Sequence, residues 1–415
     1  MTQTQGTFRG GLRLHHQKEL AMAAPLDSLP HPKCLYVPLA GYKGHLPNDL
    51  ERALIVKPGE CVTRSQALTE SGVSGWPTVH APLAGVVRGL CTRISPRQPS
   101  IPLPCLEIEV DPDQPVIEAP MDEGEPSTIP IDDTSTVLSK LSQMGIVGQG
   151  GAQFPTAQKL TCGMAKIHTL IINGVECEPF IACDEALMRR RPAAIVQGAL
   201  CLARLVGPER IIFAFEDPLK ETLGSVRRGF EAYLQHTHDL PPIECITVPA
   251  IYPQGAEQQL IKTLLNLELA KQQRPIDAGI VVCNVATAAS VYDALSNHQP
   301  LTHRIVSVTG GGIASPRNIY APIGAPISAL IKRAGGLNDS VSRLLLGGPL
   351  SGYRIDDPQT PIDKGALCIL AISKDEDTFS DSSMPCINCG FCVPVCPAGL
   401  LPQQLYKLAS HQLHE

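Results

Sequence analysis

The sequence predicts an α/β chain of several domains, and three observations carry that prediction. Short apolar runs broken by turn residues fill positions 33 to 110, helix and strand periods alternate from about 134 to 300, and four cysteines cluster between 386 and 396. A length of 415 residues exceeds one ordinary core and suggests about two to four domains. Hydrophobic residues at 43%, charged at 18% and aromatic at 4% describe a soluble globular chain rich in small residues. A net charge of −6 gives no electrostatic footprint for nucleic acid, and the one basic run, Arg189-Arg190-Arg191, reads as a solvated helix face. No stretch approaches the roughly 20 apolar residues that span a bilayer. The opening "MTQTQGTFRGGLRLHHQKEL" has no apolar h-region, so the expected compartment is the cytoplasm.

Taken in order, "KCLYVPLA", "ALIVKPGE", "TVHAPLAGVVRGL" and "CLEIEVDP" predict a small antiparallel sandwich within a first domain, 1 to 110. "HAPLAGVV" looks like the hairpin of biotinyl and lipoyl carrier domains, but the tip lacks their lysine, so a structural hairpin is expected. Residues 111 to 133, dense in Pro, Asp and Glu, form a linker. "TSTVLSKLSQMG" places Val137, Leu138, Leu141 and Met144 at a helical period behind a capping residue. "HTLIING", "ERIIFAFE", "ECITVPAIYP" and "AGIVVCNV" then alternate with the helical "AAIVQGALCLARLVG" and "GAEQQLIKTLLNLELA". That alternation predicts βαβ units and a mainly parallel sheet over 134 to 300. "HRIVSVTG" and "RLLLGGPL", with the helical "IGAPISALIKRAGG" between them, predict a small β-grasp-like unit at 301 to 375. A polar stretch leads into a last segment, 376 to 415, that holds the cysteine cluster.

Four stretches could carry chemistry besides the cysteines. In "GIVGQGGAQFPTAQK" the glycines at 145, 148, 150 and 151 admit positive φ and let a ligand approach bare backbone. A helix beginning near Pro155 would point free N–H groups at a phosphate, with Lys159 as countercharge. "LIINGVECEPFIACDEALMRR" ends a strand at Asn173 and then crowds Glu176, Glu178, Asp184 and Glu185 together, where open α/β sheets bind ligands. "YPQGAEQQL" (252 to 260) and "CNVATAA" (283 to 289) each set a polar group where an apolar strand ends.

Of the fifteen cysteines, eleven are scattered singly among apolar neighbours and read as small buried hydrophobes. Cys386, Cys389, Cys392 and Cys396 fall at C-x2-C-x2-C-x3-C-P, the bacterial ferredoxin run that holds [4Fe–4S] clusters. A zinc site would instead show two separated C-x2-C pairs.

With these segments in order, together with "FRGGLRLHHQKEL", "VSVTGGGI" and "LGGPLSGY", the chain resembles the C subunit family (RnfC, RsxC) of Rnf ion-translocating electron-transport complexes along nearly its whole length. Its middle part is similar to the FMN- and NADH-binding flavoprotein subunit of respiratory complex I. The resemblance implies an N-terminal barrel-sandwich β domain, a Rossmann-like flavin domain, a β-grasp SLBB-like domain and a ferredoxin-like segment. It implies that Gly148, Gly150, Gly151 and Lys159 cradle the FMN phosphate, and that Asn173, Glu176 and Glu178 line the isoalloxazine and nicotinamide. Tyr252, Gly255 and Glu257 would form a further wall, and Asn284 another flavin contact. The implied activity is electron transfer between NAD(H) and ferredoxin through FMN and 4Fe-4S clusters, by a peripheral subunit on the cytoplasmic membrane face with membrane-bound Rnf partners. A soluble flavin/iron–sulfur reductase such as a cobalamin reductase, or a non-catalytic docking subunit, is the alternative.

Two departures stand out. Gln153 replaces the last glycine of the family's G-A-G-F-P-T, where a side chain would either crowd the flavin or bond to it. The family carries a second cysteine run about 25 to 40 residues after the first, and paired runs exchange their fourth ligands, whereas this chain ends at Glu415. Truncation is the expected explanation, with a remote thiol such as Cys368 or another subunit as the other two.

Overall fold

Apolar strands alternating with amphipathic helices yield a five-stranded, all-parallel sheet in the order Thr2–Gln3, Ile243–Pro249, Arg210–Asp217, Thr169–Gly174, Ile280–Asn284. A computed structural model describes residues 2–3, 7–41, 50–71, 76–95, 97, 102–122, 133–161, 166–217, 241–377 and 385–411. Residues 123 to 132 of the expected linker, the polar 378 to 384 and the last four positions therefore lie outside the described residues. The interior strand Thr169–Gly174 is buried on both faces, as a strand covered by helices on two sides must be. Leu170 and Ile172 pack into one layer with the helices Pro192–Val206 and Val285–Ser296. Ile171 faces the other, against Leu260 and Ile261 of the Glu257–Leu265 helix. The expected helix begins after Asp133, whose carboxylate accepts from Ser135 and Thr136 N–H, and runs Thr134–Gln143.

The N-terminal unit is a four-stranded antiparallel sheet ordered Cys34–Pro38, Pro102–Val110, Gly85–Ile94, Cys61–Val62. "ALIVKPGE" is not a strand. The helix Leu50–Ala53 ends there, Leu54 makes an isolated bridge to Thr69, and the strand begins only at Cys61. Pro58 and the positive-φ Gly59 (+88°) impose a turn between them.

A third, mixed sheet is ordered Tyr353–Arg354, Val341–Leu346, Cys368–Ser373, His303–Thr309, Arg317–Pro322, Asp27–Ser28, with the helix Ile327–Arg333 packed on it. Its core is continuous with that of the N-terminal sheet: Leu35, Val37, Leu106 and Ile108 share one apolar cluster with Val306, Ile319, Ile327 and Ile369. The cysteine segment adds the short helices Cys392–Val395 and Pro402–Ser410, neither with a buried residue.

Candidate functional site

From Thr169–Gly174 the chain steps through two strands on one side and then returns with Ile280–Asn284 on the other. At that reversal of strand order the carboxyl ends of neighbouring strands part and leave a crevice. Asn173 and Asn284 stand opposite each other at its base. Asn173 Nδ2 donates to Gly255 O (2.9 Å), and Gly255 N–H donates to Cys177 Sγ (3.2 Å), which ties the Tyr252–Glu257 segment to the strand end. A Cβ on Gly255 would overlap Val175 O, so only glycine closes that wall. Asn284 Oδ1 caps its own helix at Ala286 N (2.8 Å), while its Nδ2 donates to Asp184 (2.6 Å).

The glycine loop sits over Asn284. Gly148 N–H donates to Phe154 O (2.8 Å), Gln153 N–H to Gly148 O (3.0 Å) and Gln149 N–H to Thr287 Oγ1 (2.9 Å), so the loop's shape is fixed from within. The N–H groups of Gly150, Gly151 and Ala152 find no acceptor among the described residues. Gly150 and Ala152 are exposed, and a Cβ on Gly150 would lie 3.5 Å from Asn284 Cβ. Lys159 Nζ donates to Glu257 (2.8 Å) and to Val282 O (2.7 Å), leaving one of its three donors unused. Three unspent backbone donors, on the loop that leads into the helix Thr156–Thr161 carrying Lys159, fit a phosphate.

Gln153 is turned away from this crevice. It holds the left-handed conformation (φ +58°), and its Nε2 donates to Asp363 Oδ2 (2.8 Å). Asp363 is held in turn by Arg97 Nε (3.1 Å). The side chain fills space that only a glycine at 365 leaves, since a Cβ there would lie 2.6 Å from Gln153 Nε2. The departure from the family pattern thus bonds neither to the loop's free donors nor across them.

The acidic residues are committed to the protein itself. Glu176 accepts from Asp184 N–H (3.0 Å), Glu185 N–H (3.4 Å) and Cys183 Sγ (3.3 Å), capping the helix Cys183–Arg190. Lys18, buried, lies 3.9 Å from Glu176 and 3.1 Å from Glu216. Burial opposes the Lys18 charge, yet Glu216, Glu176 and Glu185 outweigh it and hold its pKa above the ordinary value. Burial first, then the Glu176 charge, push the Asp184 carboxyl up to about 7. Glu178 reaches the third sheet, where it accepts from Leu350 N–H (2.9 Å), Ser351 N–H (2.7 Å) and Ser351 Oγ. Lys18, Glu216 and Thr287 escaped sequence reasoning. Lys18 lies in the quoted "FRGGLRLHHQKEL", but nothing local shows that it faces carboxylates far along the chain.

Cys386 and Cys389 are exposed, Cys392 and Cys396 half-buried, and all four are free thiols. A single tetrahedral zinc would need thiolates about 3.8 Å apart, given a Zn–S bond of about 2.3 Å. Among the described residues no three of these sulfurs lie within 4.8 Å of one another. The order and spacing of the four thiols along the chain are those of the four-iron run. Cys368 is excluded as their partner: it is fully buried with Phe180, Ile181, Cys183, Leu370 and Ile372, and burial raises its thiol pKa well above the usual value. No helix among the described residues is long and apolar enough to cross a membrane.

Fold and crevice together define a chain with a doubly wound α/β domain of ligand-binding type and a thiol-rich segment attached. Residues 141–293 match the Nuo51 FMN-binding domain family, 6–113 the RnfC barrel sandwich hybrid domain and 305–354 the SLBB domain. The subunits C of the ion-translocating oxidoreductase complex from Edwardsiella ictaluri and Vibrio cholerae are 33% and 35% identical over 98% and 96% of this chain, and 49% of each relative is covered. The chain thus spans about half the length of these curated relatives. Over the part it shares with them, the chain is similar to these subunits C, and over residues 6–113 to the RnfC barrel sandwich hybrid domain. A crystal structure of an NAD+-reducing [NiFe]-hydrogenase in the H2-reduced state superposes with a TM-score of 0.51 at 21% identity, over 57% of this chain and 47% of that one, which bears on the fold alone.

Proposed function

We propose that the chain is the peripheral electron-transfer part of an Rnf-type ion-translocating oxidoreductase, passing electrons between NAD(H), FMN and 4Fe-4S clusters at the cytoplasmic membrane face, with ferredoxin and membrane-bound Rnf subunits as partners. One observation carries the reading: three unspent N–H donors of the glycine loop, which leads into the helix carrying Lys159, at the strand-order reversal of a chain that also presents four free thiols at ferredoxin spacing. The names of the relatives favour a complex subunit over a soluble reductase. We divide the chain as 1–110, 111–133, 134–300, 301–375 and 376–415, with residues 2–3 lending a strand to the 134–300 unit and 27–28 one to the 301–375 unit.

A bound flavin supplies the exchange between a two-electron hydride carrier and one-electron clusters. The protein supplies placement. Gly148, Gly150, Gly151 and Lys159 hold the phosphate, and Asn173 and Asn284 set the floor. Tyr252, Gly255 and Glu257 form one wall, and Glu176 and Glu178 the margin where the nicotinamide enters. Cys386, Cys389 and Cys392 ligate one cluster, and Cys396 serves a second. No general acid, base or nucleophile is required.

Purified anaerobically, the chain should be brown and should release FMN on denaturation, and Cys386→Ser should lower its iron content. A colourless preparation without flavin would instead support the docking-subunit reading.

A further inference from the structure

Residues 10 to 18 touch the cysteine segment, the Tyr252 wall and the acidic segment of the proposed site. Gly11 N–H donates to Val395 O (2.9 Å), next to Cys396. Leu12 exchanges two backbone hydrogen bonds with Tyr252, each 2.8 Å, and His16 O accepts from Phe180 N–H (2.8 Å). Lys18 ends the run on Glu216 and Glu176. Both glycines are obligatory where they stand. Gly10 and Gly11 have φ of +80° and +88°, a Cβ on Gly10 would lie 2.7 Å from Val395 O, and one on Gly11 would overlap Ile251 and approach Tyr252 O to 2.9 Å. The segment is thus pressed between the cysteine loop and the crevice wall so closely that only bare backbone fits.

We infer that this strap, and Gly10-Gly11-Leu12 within it, is the positioning element that couples the cluster to the flavin, an inference resting on the electron-transfer reading above. Cys396, assigned above to the second cluster, the Val395 carbonyl, the Gly11 amide, Leu12 and Tyr252 form a continuous covalent and hydrogen-bonded bridge from that cluster's ligand to the flavin wall, so it is the second cluster that the strap couples. The helices of the cysteine segment bury none of their residues, so the strap's backbone contacts carry its attachment. The electron the cluster gains is the one the reduced flavin loses, two such transfers discharging one hydride equivalent. No ligand to either group comes from the strap, which acts through the geometry it holds.

Gly10→Ala tests this against Gly59→Ala, a control with the same kind of backbone strain: Gly59 has φ of +88° and nothing within 4 Å of an added Cβ. In the full chain, Gly10→Ala should raise amide hydrogen exchange over residues 8–14 and 392–396 at least about fivefold. FMN and iron content should stay as in the unsubstituted chain, while flavin-to-cluster electron transfer, followed by rapid-mixing spectroscopy, slows at least about tenfold. Gly59→Ala should change neither. Unaltered exchange in Gly10→Ala would show that the strap does not hold the loop. Raised exchange with transfer at the original rate would show that it holds the loop without coupling the centres. Either result overturns the inference. Absence of flavin and iron from the unsubstituted chain would overturn the electron-transfer reading instead, and the exchange measurement would still decide whether the strap docks.

Discussion

Gln153 shows how one side chain reconciles a foreign residue with a glycine position. Left-handed backbone costs a non-glycine residue about 1 kcal/mol, and the hydrogen bond to the Asp363 carboxylate contributes about 1.5–3 kcal/mol in return. The two terms separate by substitution. Gln153→Ala loses the bond and keeps the strain, so urea unfolding should show a loss of about 2 kcal/mol. Gln153→Gly loses the same bond and sheds the strain, so it should be the more stable of the two by about 1 kcal/mol. Because the side chain points at Asp363 rather than over the free donors, neither variant should weaken FMN binding more than about threefold. That 153 departs from the pattern was legible in the sequence. Where its amide goes was not, because the partner lies 210 positions away. The same limit applies to Glu176 and Glu178, visible as a carboxylate cluster at a strand end. Their partners Lys18, Leu350 and Ser351 belong to other elements.

Among the elements, the helices and the parallel strands were the most legible, since a 3.6-residue period and short apolar runs are local properties. "ALIVKPGE" misled because an apolar run beside a proline and a glycine carries no signal separating strand from turn. The strands Arg317–Pro322 and Cys368–Ser373, with the distant Asp27–Ser28, went unread as members of the third sheet because pairing is non-local. Helix packing was equally hidden. Gly198 lies in the middle of Pro192–Val206, and a Cβ there would overlap Ala288 O of the neighbouring helix. Alanine is favoured over glycine inside a helix by about 1 kcal/mol, yet the clash with a backbone atom cannot be relieved by a rotamer change and overpacking costs about 1–3 kcal/mol. Packing should win: Gly198→Ala is expected to lower the melting temperature by several degrees in differential scanning calorimetry, against the direction that propensity gives.

At the scale of the whole molecule, the three sheets meet at Lys364. From the third sheet's loop, its Nζ donates to Gly145 O (2.8 Å) in the flavin-type domain and to Thr78 O (3.3 Å) in the N-terminal one. Burial lowers its pKa to about 7. Between about pH 7 and the ordinary lysine value near 10.4, the unfolded chain therefore carries a proton that the folded chain lacks, and stability rises with pH by up to about 1.4 kcal/mol per unit. Lys364→Met should be less stable at pH 9 and should lack that rising limb when urea unfolding is followed from pH 7 to 9.5. An identical limb in the variant would place the titration elsewhere. The junction also bears on how the chain is made. Residues 2–28 are translated long before the segments they pair with: Thr2 and Gln3 meet Ile246 and Thr247, Asp27 and Ser28 meet Ile319 and Tyr320, and Gly11 meets Val395. Their partners are translated hundreds of codons later, and at about 5–20 residues per second this segment waits tens of seconds, unpaired, before the nascent chain can close around it.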